Sequence, residues 1–121
     1  MTQNKQDLIS SVKEHHVRKD FAYDAKVIEK NVNKLTQYLF DDYKRRWDNR
    51  DYNVSYKKGN KYWKVITDNS VHCFVDRITG DVFKPASWSK PAPIPRYNLL
   101  INAQDCFNKC DCHGSYLYIR W

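Results

Sequence analysis

Four soft metal ligands fall within eight residues near the C-terminal end of the chain: Cys106, Cys110, Cys112 and His113, in the pattern Cys-x3-Cys-x-Cys-His. Zinc takes four nitrogen or sulfur ligands at about 2.0–2.3 Å, and a short loop carrying thiolates and an imidazole can supply several of them. The spacing differs from that of a zinc finger, in which two separated ligand pairs close the site. His72 and Cys73 lie on an expected strand, where adjacent side chains point to opposite faces, so at most one of them would complete such a site. The preferred reading is free, partly buried thiols and no cofactor, with a structural zinc on Cys106, Cys110, Cys112 and His113 as the alternative. A disulfide between two of the cysteines is the option under oxidising conditions.

The second concentration of chemistry is cationic and aromatic. The 121 residues carry 21 Lys and Arg against 14 Asp and Glu, a net charge of +7. Residues 1–50 hold 11 basic against 8 acidic groups, residues 51–100 hold 8 against 4, and the last 21 residues hold 2 against 2. The excess is therefore a property of the body of the chain. Lys44, Arg45, Arg46 and Arg50 lead into Lys57, Lys58, Lys61 and Lys64, interleaved with Trp47, Tyr52, Tyr56, Tyr62 and Trp63. Cations neutralise phosphates and aromatic faces stack on bases, which is what a nucleic-acid surface needs. The ordinary counterpart is that exposed lysines keep an edge strand from pairing and that aromatics are common in half-buried strands. A membrane surface is the weaker candidate partner, because the basic residues do not share one face of an amphipathic helix.

Catalytic constellations are sparse. Asp76 and Asp81 flank Thr79-Gly80, and carboxylates beside a turn ordinarily form the turn. His15 and His16 fit no ligand spacing, and His72 reads as a structural imidazole. With only Gly59, Gly80 and Gly114 in the chain, no glycine-rich phosphate loop can be built. No enzyme is expected.

These residues need elements to hold them. Ala25, Ile28, Val32, Leu35, Leu39 and Tyr43 recur at spacings of three and four without Gly or Pro, which predicts a helix over 22–47 started by Asp20 or Asp24. Residues 1–20 read as a partly ordered N-terminal segment, and 21–121 as one domain. From Tyr52 the apolar period becomes two, with turns at Gly59-Asn60, Asp68-Asn69 and Thr79-Gly80, which predicts an antiparallel meander over 52–84. All four prolines fall within a loop at 85–96, expected to be extended or polyproline-like with Trp88 tucked onto the domain. A Cys-rich tail at 102–114 and a last short strand from Tyr116 complete an α+β fold, one long helix on one small sheet. The longest apolar runs, residues 99–101 and 116–119, are far short of a membrane span, which needs about 20 residues. The polar opening, Met1-Thr2-Gln3-Asn4-Lys5, offers no secretory h-region, so an intracellular setting with reduced thiols is expected.

The stretch from Lys61-Tyr62 through Phe74-Val75-Asp76, Thr79-Gly80 and Lys84-Pro85-Ala86-Ser87-Trp88 to Lys90-Pro91-Ala92 and Arg96-Tyr97-Asn98 resembles a module of small uncharacterised proteins of tailed phages and large DNA viruses. The resemblance covers about a third of the chain and implies a viral accessory or virion-associated protein, placed in the host cytoplasm or nucleus or in the particle. It brings no catalytic residues with it. On this reading Lys84, Lys90 and Arg96 form, with Trp88, a basic and aromatic lip that docks a partner. The expected partner is nucleic acid, bound with low sequence specificity; the alternative is a homo-oligomer or a viral or host protein.

Overall fold

A computed structural model describes the backbone of residues 5–118 and the side chains of residues 22–118. The long helix α1 spans Lys5–Arg46. Its apolar stripe lands where the spacing puts it: Ile28, Val32, Leu35 and Leu39 are fully buried. The helix does not begin at Asp20 or Asp24, because an aspartate inside a helix costs well under about 1 kcal/mol and neither Gly nor Pro is present to stop propagation. The helix thus starts earlier than the expected residue 22.

Five strands follow: β1 Val54–Lys58, β2 Tyr62–Thr67, β3 Ser70–Asp76, β4 Asp81–Phe83 and β5 Tyr97–Asn98. They form one antiparallel sheet in sequence order, as short turns require. The sheet lays Trp63, Val65, Cys73, Val75 and Val82 against the α1 stripe, and Leu99 and Leu117 close the same core. The β2–β3 turn uses Asp68 at φ 51°, a conformation that aspartate tolerates better than most residues. At the β3–β4 turn Asp76 Oδ1 accepts the N–H groups of Ile78 (2.8 Å) and Thr79 (3.0 Å), and Gly80 takes φ 81°. Asp81 Oδ1 accepts the Asn98 amide at 2.9 Å. The Asp76 carboxylate therefore builds the turn, as expected, while that of Asp81 ties β4 to β5.

A bulge between Val65 and Ile66 breaks the alternation on β3, pairing Val65 with Cys73 and Ile66 with Val71. Consecutive His72 and Cys73 are both buried, Cys73 in the core shared with α1 and His72 against Tyr116.

Three segments differ from the sequence reading. The proline-rich loop is not a polyproline ribbon but a hairpin. Pro85 bridges Pro91, and the N–H groups that proline cannot supply come from Ala86 and Ser87 to Lys90 O (2.9 and 3.1 Å) and from Ala92 to Lys84 O (2.8 Å). Trp88 stands near its tip and is 54% exposed rather than tucked in. The Cys-rich tail contains a second helix, α2, Ala103–Lys109, whose Cys106 and Phe107 are buried. Finally, residues Ser115–Leu117 form a 3-10 turn in place of a strand, and the strand that closes the sheet is β5. Asp111 Oδ1 collects the N–H groups of His113, Gly114 and Ser115, and Gly114 at φ 80° reverses the chain, so local bonds hold this stretch out of the sheet. His15, His16 and the tail beyond Tyr118 lie outside the residues whose side chains are described.

Candidate nucleic-acid interface

Alternation that sends Trp63, Val65 and Val75 inward sends Tyr62, Lys64 and Phe74 to the other face of the sheet. There Tyr62 meets Phe74 and Phe83 edge-on, with ring centroids 5.8 and 6.0 Å apart. Lys64 is directly opposite Lys57 across the β1–β2 pair. Like charges in that position repel, and among the described residues neither has a carboxylate within ion-pair distance. Lys64 Nζ lies 4.5 Å from the Trp88 ring centroid and 5.8 Å from that of Phe74, while Lys61 Nζ lies 5.4 Å from that of Tyr62. An open cleft of about 370 Å³ results, walled by Lys57, Lys58, Lys61 and Lys64 with Tyr62 and Phe74 lining it and Ser89 of the proline-rich hairpin at its side.

The turn that carries this charge is fixed in place. Gly59 N–H donates to Tyr62 O (2.9 Å), and Arg77 N–H to Lys61 O (3.0 Å). The Arg77 guanidinium donates through Nη1 to the carbonyls of Gly59 (2.8 Å) and Asn60 (2.9 Å). Arg77 is thus a positioning residue for the lysines. Sequence reading missed it, because its partners are 17 and 18 residues away and no local pattern reports them. Phe74 was missed too, although the alternation of Cys73 and Val75 implied its outward direction.

The other basic residues do not join this cleft. Lys44, Arg45 and Arg46 form the last turn of α1, in the helical layer on the far side of the core. Arg45 and Arg46 pair with buried Asp42, Lys44 Nζ donates to Arg50 O, and the Arg50 guanidinium lies 5.6 Å from the Trp47 ring centroid. Lys84 Nζ sits 4.3 Å from the Tyr118 ring centroid. Arg96 is half-buried with Nε unpartnered, and Lys90 is exposed at the proline-rich hairpin. The run from Lys44 to Lys64 that looked continuous in sequence is therefore two surfaces, of which only the second combines free lysines with an aromatic cleft.

The four candidate metal ligands do not converge. Cys106 is fully buried, Cys110 Sγ donates to Phe107 O (3.4 Å), and the Cys112 N–H donates to Asp42 Oδ2 (2.9 Å). His113 is exposed and meets Trp47 edge-on at 5.5 Å. Burial, then Asp42 and Asp111, pushes the Cys110 thiol up to about 11, and burial with Asp42 does the same to Cys112. Burial raises Cys73 and Cys106 as well. All four are free cysteines. Among the described residues no three His, Cys, Asp or Glu side chains are grouped to hold a metal ion. The reason is the α2 helix, which commits Cys106 to the core and separates it from the loop that follows.

His72 Nε2 lies 2.7 Å from Tyr116 Oη. Burial pushes the imidazole down to about 4 against the opposing field of Asp111, so the ring is neutral at neutral pH. Among the described residues no helix is long and apolar enough to cross a membrane.

The chain belongs to a family of unknown function, DUF7717, whose model matches residues 3–119. No curated protein and no solved structure matches it.

Proposed function

We propose that this protein is a non-enzymatic nucleic-acid-binding protein of low sequence specificity, acting through the outer face of its sheet. The observation that carries the reading is the set of carboxylate-free lysines around Tyr62 and Phe74, with Lys57 and Lys64 opposed in register. An anion held between them relieves a repulsion that the fold otherwise bears, and a polyanion with planar bases satisfies both halves of the site. The likeness of residues 61–98 to small phage and viral proteins supports a viral accessory or virion-associated role.

Polarisation titration with a labelled mixed-sequence oligonucleotide at low salt tests the reading. Replacing Lys58 and Lys61 with Gln is expected to weaken binding about tenfold, since each removes a phosphate contact. Replacing the exposed helical pair Lys26 and Lys30 with Gln makes the same change in net charge and is expected to alter affinity by less than about twofold. Equal losses from the two double variants, or no binding by the wild type, would refute the proposal.

A second reading, a protein-interaction module, draws on exposed Ile101 (84%), Ile78 (55%) and Ile94 (50%). Light scattering that shows a stable oligomer without nucleic-acid affinity would favour it.

A further inference from the structure

Resting on that nucleic-acid reading, we infer that the ligand is single-stranded and that one unstacked base stacks on Trp88 beside the lysine cleft, leaving the phosphates to the lysines. The arrangement of the two walls leads here. One wall is the β1–β2 turn with Lys57, Lys58 and Lys61, fixed by Arg77; the other side is bordered by Ser89 of the proline-rich hairpin, whose neighbour Trp88 stands just outside the cleft against the Lys64 ammonium, and the hairpin is fixed by the Ala86, Ser87 and Ala92 hydrogen bonds. Both are pinned by backbone contacts, so the cleft exists before the ligand arrives and little ordering is needed on binding.

Tyr62 and buried Phe74 floor the cleft, the lysines rim it, and Trp88 stands exposed beside it. A duplex presents its phosphates to a surface but keeps its base faces stacked inside the helix, so it can satisfy the lysines and not the exposed Trp88 ring. A single strand turns bases outward and can satisfy both.

Lys64 links the two kinds of contact. Its ammonium occupies the face of Trp88, at 4.5 Å from the ring centroid, and among the described residues has no acidic partner. A base arriving on Trp88 displaces that ammonium, and a phosphate a few ångströms away receives it. The cation–π contact of the free protein is thus exchanged for a stack and an ion contact in the complex. Trp88, 54% exposed on a short hairpin, is held where that exchange can occur.

The test compares labelled oligothymidylate and oligouridylate with their complementary duplexes at one salt concentration, using wild-type protein and Trp88→Ala. Trp88 is outside the core, so its removal leaves the fold standing; a far-UV circular dichroism spectrum confirms this. The expected result is single strands bound at least about tenfold more tightly than either duplex. Trp88→Ala is expected to lose about tenfold on single strands with no change in the slope of affinity against salt, because a stack releases no counterion. Lys64→Met, by contrast, reduces that slope. Quenching of wild-type tryptophan fluorescence by the single strand, absent in Trp88→Ala, gives a readout independent of affinity. Preference for either single strand, deoxy or ribo, over its duplex supports the inference. Equal affinity for strand and duplex, or a Trp88→Ala variant that binds single strands as the wild type does, overturns it while leaving the proposed function intact. Absence of binding to all four ligands overturns both.

Discussion

Acidification from pH 6.5 to about pH 4 is expected to strip stability from this domain through one residue, His72. The ring is buried, hydrogen-bonded to Tyr116 Oη, and held down to about 4 from its ordinary 6.5 chiefly by burial, with Asp111 pulling the other way. The unfolded chain takes up a proton on this imidazole below pH 6.5, and the folded chain does so only near pH 4. Falling pH therefore favours the unfolded state throughout that window. The slope reaches at most about 1.4 kcal/mol per pH unit, so the whole window costs about 3 kcal/mol, against a total stability of about 5–15 kcal/mol for a domain of this kind. Asp42 and Asp111 add nothing within it. Burial alone would raise both carboxyls, but the Cys112 N–H and Arg46 outweigh it for Asp42, and the Ser115, Gly114 and His113 contacts do so for Asp111. Both pKa values are held below the ordinary 3.8, so their contribution is lost only at more acid pH. Urea denaturation at half-unit steps from pH 7 to pH 4 measures the curve, and His72→Gln is expected to flatten it whatever its own stability. A wild-type curve that is flat over this range, or an NMR titration placing His72 near 6.5, would refute the reasoning.

Three other expectations concern the scaffold. Gly80→Ala is expected to cost about 2 kcal/mol or more, because a Cβ at φ 81° would stand 2.9 Å from both the N and the Cβ of Leu100; Gly114→Ala, with its nearest neighbour at 3.5 Å, is expected to cost only about 1 kcal/mol. Thermal melts of the two variants side by side check this. Leu99→Ala empties a fully buried position beside α1, where Asn31 donates to Leu99 O at 2.6 Å, and is expected to cost about 2–5 kcal/mol by urea titration. Arg77→Met removes both guanidinium bonds to the Gly59–Asn60 turn, and should weaken oligonucleotide binding several-fold while costing about 1–2 kcal/mol of stability.

What could be read from the chain was whatever depends on short-range spacing. The intervals between Ile28, Val32, Leu35 and Leu39 fix a buried helical stripe with no knowledge of its partner. Alternation and the Asp68 and Gly80 turns likewise imply the meander. The start of α1 was not legible, since Asp20 and Asp24 are capping residues only if the helix ends there, and nothing forces it to. The proline-rich hairpin was hidden because its hydrogen bonds use the N–H groups between the prolines, and proline counting sees only the missing donors. The exposure of Trp88 followed from that hairpin, so the expectation that a large aromatic would be buried failed with it. The placement of the cysteines was hidden for a related reason: α2 puts Cys106 in the core, and ligand spacing says nothing about which side of a helix faces inward.

The candidate site divides along the same line. Lys57, Lys58, Lys61, Tyr62 and Lys64 lie on one hairpin, so its tight turn brings them near one another. Their separation from Lys44, Arg45, Arg46 and Arg50 required knowing that α1 packs on the opposite face, a tertiary fact. Trp88 joined to Lys64 across 24 residues of chain, and Arg77 joined to the turn it pins, are contacts of the same kind.

The salt dependence of binding to a single-stranded oligonucleotide tests the central claim most directly. Four lysines engaging phosphates of a single strand give a slope of log affinity against log salt of about −3, or a loss of about fifty-fold between roughly 50 and 200 mM. A slope near that value, made shallower by Lys58→Gln and Lys61→Gln, is the predicted result. A slope near zero, or no detectable binding at the lower salt concentration, contradicts it.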